Sequence, residues 1–422
     1  MQLPEDFIRE ARLVMGEERF NRFLEAFHEE PPVSMRMNPM WWKGDGESNK
    51  ENRVPWCDTG YYLNGRPQFT FDPLFHAGCY YVQEAASMFI SHVLQSVECK
   101  LSVLDLCAAP GGKSTAARSV LPRGSLLVSN EPIPSRAQIL LENITNWGWP
   151  DCIVTNNYPR DFRKAKVRFD LIICDVPCSG EGMFRKDPAS IGEWSLQNVE
   201  KCWRLQREIV ADAWECLNPG GILIYSTCTY NTKENEENVR WIQQTYNAEI
   251  LSVPTKPEWN ITGSLLEGFN APVYRFIPGF TRSEGLFICA LRKSGELRVE
   301  SLEFDTAHEE ALDGSAAGRA VANSKLYTLN SKLKILTSDL PQGNFPRSDL
   351  SYQEALKYLR GEALVLPADT PKGLVTVTYR GIPLGPVKNI GSRANNLYPK
   401  PWRIKTTHLP TEPPEVIEMV KK

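Results

Sequence analysis

The stretch "LSVLDLCAAPGGKSTAARSVL" (101–121) passes from an apolar strand pattern, through a turn carrying Gly111 and Gly112, into a helical pattern. The same alternation continues on its C-terminal side. "GSLLVSNE" (124–131) is predicted as a strand, "SRAQILLENITNWG" (135–148) as a helix, and "CIVTNN" (152–157) and "FDLIICD" (169–175) as strands. A long helix around 196–217, the strand "GGILIYST" (220–227), a helix near 234–246 and the strand "GLFICALRK" (285–293) follow. Apolar strands that alternate with amphipathic helices predict an α/β fold: a doubly wound, Rossmann-like, mostly parallel sheet with helices on both faces. Ligands of such sheets bind at the carboxyl ends of the strands.

Outward from this core the pattern changes. "EDFIREARLVMG" and "EERFNRFLEAFHE" have helical spacing, and "PPVSMRMNPM" (31–40) is extended, so residues 1–95 are expected to form a small α+β element. The core is placed at 96–293. Residues 294–323 are acidic and rich in small residues, as a linker would be. Residues 324–422 carry "LYTLNSKLKILTS", "GEALVLP" and "GLVTVTYRGIPLGPVKNIG", which alternate like strands between Gly and Pro turns and predict a β-rich C-terminal domain.

The 422 residues, 42% apolar and 23% charged, have the composition of a soluble globular protein. No apolar run approaches the ~20 residues of a membrane span, and "MQLPEDFIRE" has no signal-peptide core. Eleven cysteines without regular spacing do not suggest a disulfide framework. A cytoplasmic location is expected, where thiols stay reduced. The net charge of −3 gives no overall nucleic-acid signature, but "RDFRKAKVR" (160–168) and "KNIGSRANNLYPKPWRIK" (388–405) each concentrate five basic residues that could track phosphates.

The turn itself excludes one class of ligand. A phosphate-cradling loop needs glycine five positions before Gly112, and Cys107 stands there. Glycines at a first strand–helix turn still let backbone approach a nucleotide. The next strand ends in Glu131, where an acid can accept both ribose hydroxyls, and the fourth ends in Asp175. An adenosyl ligand fits this arrangement, either S-adenosyl-L-methionine or a dinucleotide. Two cysteines share a setting just past a buried strand: Cys178 in "LIICDVPCSG" and Cys228 in "ILIYSTCTY". Most buried cysteines are small inert hydrophobes, and that reading is taken for Cys57, Cys79, Cys99, Cys152, Cys174, Cys202, Cys216 and Cys289. The Cys174-x3-Cys178 spacing does not suit zinc, and no metal is expected.

The motifs "DLCAAPGGK" (105–113), "DVPCSGEGMFRKDP" (175–188) and "YSTCTYNTKENEENV" (225–239) closely resemble those of the Sun-type RNA (cytosine-5) methyltransferases, in their RsmF-like bacterial ribosomal RNA branch. The likeness extends to "SMRMNPM" (34–40), "YYVQEAASM" (80–88) and "GIPLGPVKNIGSRANNLYP" (381–399). It implies a methyltransferase core, a PUA-like RNA-binding C-terminal domain and an RNA-contacting N-terminal element. The cofactor it implies is S-adenosyl-L-methionine, held by Cys107, Ala108, Ala109, Pro110, Gly111, Gly112 and Lys113, with Glu131 on the ribose and Asp175 nearby. The adenine-side role falls on Asn156, Asn157 or Tyr158, with Asn156 preferred. The activity implied is methylation of cytosine C5 in RNA, foremost 16S ribosomal RNA alone or in the assembling 30S subunit.

The chemistry explains a need for two thiols. C5 of cytosine becomes nucleophilic only when a thiolate adds to C6, and that thiol must afterwards leave. By the resemblance, Cys228 attacks and Cys178 assists release, while Asp175 contacts the base near N3/N4 and Lys113 orients that acid. Other assignments stayed open on the residues alone. Arg185–Pro188 would clamp RNA phosphate or pair within the fold, and Glu234 and Glu237 would cap and solubilise a helix. Trp41, Trp42, Tyr80 and Tyr81 would stack on bases or pack in the core. Two other functions share the motifs: a transfer-RNA cytosine methyltransferase and a non-catalytic ribosome-assembly factor.

Overall fold

A computed structural model describes residues 3–44, 50–95, 99, 101–296, 333–341, 343–406, 408–414 and 416–421. Most of the expected linker, from residue 297 on, lies outside them. Among the described residues the strands form three sheets. An N-terminal antiparallel sheet takes β1 (Val33–Met37), β2 (Gly60–Leu63) and β3 (Tyr80–Val82) in the order β2-β1-β3. The central sheet holds β4 (Ser102–Asp105), β5 (Leu126–Asn130), β6 (Cys152–Thr155), β7 (Phe169–Asp175), β8 (Leu217–Thr227), β9 (Glu249–Leu251), β10 (Tyr274–Phe276), β11 (Leu286–Arg292) and β12 (Ile335–Leu336). The C-terminal sheet holds β13 (Arg347–Asp349), β14 (Gly373–Tyr379), β15 (Ile382–Asn389) and β16 (Ala394–Asn396).

The central order is β10-β11-β8-β7-β4-β5-β6-β12, with β9 on β11. Strands β4 to β8 are mutually parallel and β11 is antiparallel to β8. The chain runs β4-β5-β6 to one side and returns to β7-β8 on the other, so the order reverses between β4 and β7. That is the crevice where a doubly wound sheet binds its ligand. β7 is buried along nearly its whole length because helices cover both faces. On one side lies the helix Leu196–Glu215, which buries Val199, Cys202, Gln206, Ile209, Val210, Ala213 and Trp214 as a single stripe. Ser195 starts it by accepting the N–H of Asn198.

The N-terminal helices Glu5–Met15 and Glu17–Glu25 pack Phe7 and Phe23 against Phe184, Trp194 and Tyr230. They thereby support the segments that follow both cysteines. The N-terminal and C-terminal sheets share one apolar cluster, with Met35, Tyr61 and Leu63 meeting Tyr358, Val375 and Val387.

Several expectations change here. Residues 335–336, expected in the C-terminal domain, pair with Val154 and Thr155 and extend the central sheet. "GEALVLP" is not a strand but a loop with one bridge, Leu364 to Ala394. A helix, Tyr352–Leu359, stands within the region expected to be β-rich, started by a Ser351–Glu354 capping box. Tyr80 is buried and donates to Asp72, while Trp41 and Trp42 pack on the same shared cluster. Cys99 is exposed rather than buried, because it lies beyond the helix Phe89–Leu94.

Candidate active site

Five parallel strands deliver their carboxyl ends to one edge, and every candidate residue lies on it. After β4 the loop 106–111 leads into the helix Gly112–Val120. Gly111 has φ +116°, a conformation that side chains rarely adopt, and a Cβ there would meet Leu140 at 3.2 Å. The loop is pinned from outside: Ala108 N–H donates to Asn130 O, Arg136 to Ala109 O, and Asn143 to Pro110 O. The first N–H groups of the helix have no partners within it, as at any helix start.

Asp105 ends β4 fully buried. Its Oδ2 accepts from Ser114 Oγ at 2.6 Å, and its Oδ1 has no partner. Burial pushes its carboxyl up to about 7, against the pull of Ser114. Glu131, also buried, accepts the Ile133 N–H with Oε1, while Oε2 lies 3.6 Å from Arg136. An orphaned buried acid, a turn ending in Gly111 and Gly112, and a second strand-end acid fit a cationic adenosyl cofactor. Asn156 is more committed than expected: its amide donates to Glu131 O and Pro132 O, and its oxygen accepts from Lys334 Nζ at 2.9 Å. Asn157 grips the main chain of Lys334 with both ends of its side chain. Tyr158 is exposed beneath Arg160.

On the other side of the crevice, Cys178 Sγ and Cys228 Sγ are 3.3 Å apart, and the Cys228 N–H points at Cys178 Sγ from 3.4 Å. Asp175 ends β7 between Lys113 Nζ at 2.8 Å and Ser226 Oγ at 2.7 Å. Burial pulls the Lys113 amine down, but the charge and hydrogen bond of Asp175, aided by Cys228 and Asp105, hold it above its ordinary value. Lys113 is therefore a fixed cation beside Asp175 and Cys228. The hydrogen bond with Cys228, then burial, then the charges of Cys228 and Glu234, push the Cys178 thiol well up. Burial and the neighbouring sulfur favour the protonated form of Cys178. The geometry thus unites Cys178 with Cys228 and Lys113 with Asp175. Cys174, one residue before Asp175, is buried and turned away.

Two acids missed or misread in the sequence organise this pair. Glu181 is buried and accepts the N–H groups of Tyr230 and Asn231. Glu234 neither caps nor solubilises a helix: it is buried and precedes the helix Glu236–Tyr246, accepting from Ser179, Gln206 and Asn231. Arg185 pairs with Glu284 at 3.1 Å inside the fold, so it is not free for phosphate.

Residues 92–292 match the family described as 16S rRNA methyltransferase RsmB/F. Residues 3–85 match the N-terminal domain of 16S rRNA methyltransferase RsmF, and residues 345–404 the methyltransferase RsmF PUA domain. The ribosomal RNA small subunit methyltransferases F of Pectobacterium atrosepticum and Cronobacter sakazakii are 30% and 31% identical to the chain, each alignment covering 82% of it and 83% of the relative. The chain belongs to the RsmB/F family of 16S rRNA methyltransferases. A methyltransferase homologue from Pyrococcus horikoshii has the same fold at TM-score 0.58 and 27% identity, covering 69% of this chain and 95% of its own. NSun6 from Pyrococcus horikoshii, solved with SFG, aligns at TM-score 0.57 and 20% identity over 69% of this chain and 99% of its own. The RsmB/F match spans both cysteines, and the PUA match covers most of the C-terminal sheet. Among the described residues no helix is long and apolar enough to cross a membrane.

Proposed function

We propose that this RsmB/F family member transfers a methyl group from S-adenosyl-L-methionine to C5 of a cytosine in 16S ribosomal RNA through a covalent adduct. The observation that carries the reading is the pair of sulfurs 3.3 Å apart beside the Lys113–Asp175 ion pair, on the strand edge that also bears Glu131.

When bound, the cofactor supplies an electrophilic methyl group. The Cys107–Lys113 turn and helix start would hold its methionine part, Asp105 Oδ1 its ammonium, Glu131 its ribose, and the Asn156 region its adenine edge. Cys228, as thiolate beside Lys113, adds to C6, and the displaced electron pair makes C5 nucleophilic. Asp175 receives the N3/N4 edge of the base, held in orientation by Lys113 and Ser226. Release requires the C5 proton to depart and the C6–S electron pair to return to the Cys228 sulfur. Cys178, touching that sulfur, gives its proton to the departing Cys228 sulfur and takes the C5 proton in its place, so both thiols end the step protonated. Both faces of the ring must be reached, so the cytosine leaves its stack.

The exposed cations Arg160, Lys164 and Lys166, and Lys388, Arg393 and Lys400 on the C-terminal domain, suit an RNA backbone partner. The test is methyl transfer from labelled donor to unmodified 16S ribosomal RNA, to 30S subunits and to transfer RNA. We expect 5-methylcytosine in the small-subunit substrate; incorporation into transfer RNA alone would overturn the substrate assignment.

A further inference from the structure

The two cysteines lie on separate loops, 50 residues apart in the chain, and past the ends of β7 and β8 one backbone bond, Gly182 N–H to Cys228 O, joins the loops, the other bonds running through side chains. Two buried carboxylates span the gap in opposite directions. Glu181, three residues after Cys178, accepts the N–H groups of Tyr230 at 2.6 Å and Asn231 at 3.0 Å, which follow Cys228. Glu234, six residues after Cys228, accepts the N–H of Ser179 at 3.0 Å and also its hydroxyl; Ser179 follows Cys178. One amide joins the two acids: Asn231 Nδ2 lies 3.0 Å from Glu181 Oε1 and 2.8 Å from Glu234 Oε1. Gln206, from the long helix beneath, donates both to Glu234 Oε2 at 2.7 Å and to Pro177 O at 2.9 Å. Glu181 is 2% exposed and Glu234 0%.

Two acids of like charge in one buried pocket are costly to keep, and a core of the same shape without them would be easier to fold. Apart from Trp194 Nε1 on Glu181 and Gln206 on Glu234, their side-chain bonds go to Ser179, Tyr230 and Asn231, one to three residues past the cysteines, so the feature they control is the distance between the sulfurs. We propose that Glu181 and Glu234 are positioning residues that cross-tie the two cysteine loops and thereby set how fast Cys178 resolves the Cys228–cytosine adduct. This rests on the methyltransferase reading. A thiol that shuttles a proton must stay in contact with the sulfur it serves, because proton transfer needs hydrogen-bond reach. The adduct itself needs Cys228, Asp175 and Lys113 but not Cys178. Loosening the tie therefore slows release more than attack, and it leaves the cofactor turn untouched.

The test uses the full chain as Glu234→Gln, Glu181→Gln and the milder Ser179→Ala, each with two readouts. In the first, the RNA-free protein is titrated with phenylarsine oxide, which forms two As–S bonds across neighbouring thiols as both S–H protons leave with the arsenic oxygen as water. Wild type is expected to bind it through Cys178 and Cys228, an assignment checked with Cys178→Ala. The Glu variants should bind at least tenfold more weakly. In the second, turnover on unmodified 16S ribosomal RNA should fall tenfold or more in Glu234→Gln with KM for the donor within twofold, while denaturation-resistant adduct accumulates. Ser179→Ala should show the same split at smaller size, which keeps the test decisive if a Glu variant does not fold. Unchanged arsenical affinity, or a loss of kcat without adduct, would overturn the cross-tie. Weakened arsenical binding in a protein whose wild type methylates no RNA would instead support the tie and overturn the methyltransferase reading.

Discussion

On the side of the crevice proposed for the cofactor, β4 to β6, the strand ends carry a glycine turn, a helix start and the buried acids Asp105 and Glu131, Asp105 with one oxygen left unpartnered. On the thiol side, β7 and β8, nearly every polar atom behind the sulfurs is engaged: Glu181, Glu234, Asn231, Ser179 and Gln206 form one network. The contrast follows from what each side must do. A cofactor that arrives and leaves at every turnover is served by open donors and acceptors whose partners it brings. A covalent nucleophile and its helper must hold one separation before, during and after bond formation, so their partners belong to the protein.

The sharpest break of this comparison is on the thiol side. Cys228→Ala should lower methyl transfer by more than about a thousandfold and form no adduct, since removal of a nucleophile costs on that order or more. Cys178→Ala should stop turnover but trap a denaturation-resistant enzyme–RNA complex on gels. If Cys228→Ala traps the complex instead, the two roles are exchanged. On the cofactor side a single acid should matter less. Glu131→Gln keeps the acceptor for Ile133 N–H and removes the charge offered to the ribose. We expect calorimetry to show donor binding weakened about 10- to 100-fold, the value of hydrogen bonds to a charged group, with RNA affinity within about twofold. Equal losses of both would show that Glu131 serves the fold rather than the ribose.

A third test uses the orphaned acid. Asp105 ionises near 3.8 when unfolded and, pushed up by burial, at about 7 in the fold. Between these values the native state binds a proton that the unfolded state lacks, so this group's contribution to stability falls as pH rises from about 4 to about 7. Asp105→Asn removes that penalty. Without cofactor the variant should be more stable than wild type at pH 8, by an amount on the order of a few kcal/mol, and the gap should close toward pH 4. Thermal melts at the two pH values check this. Donor affinity should fall in the same variant, because the uncharged amide no longer offers an acceptor of opposite charge to the ammonium.

How far this edge was legible in the sequence differs in the same way between its halves. The strand–turn–helix of 101–121, the acids Glu131 and Asp175, and the two cysteines were legible because each sits at a periodic strand's end, where local pattern fixes position. Glu181 and Glu234 were not. Glu234 lies in "NTKENEENV", whose composition suggests a solvated helix start, and its partner Ser179 is 55 residues away. Burial of a turn residue by a distant loop leaves no period. Asp105 was not singled out either, because its unpartnered oxygen depends on what packs around it. In the C-terminal domain the helix Tyr352–Leu359 was masked by the alternating runs around it, although the Ser351–Glu354 box marked its start.

The smallest expected effect concerns the adenine end, where the two sides' rules meet. Lys334 comes from the chain beyond the expected linker, yet its main chain is held by Asn157 and its ammonium lies on Asn156. Asn156 in turn holds the carbonyls of Glu131 and Pro132, so a residue far along the chain steadies the segment that carries Glu131. Lys334→Ala removes only the exposed ammonium contact, worth about 0.5–1 kcal/mol, and donor binding should weaken about two- to fivefold. Asn157→Ala removes both buried grips and should weaken it more. If the two variants bind the donor alike and as wild type does, β12 merely covers a sheet edge, and the cofactor side depends on local turns alone.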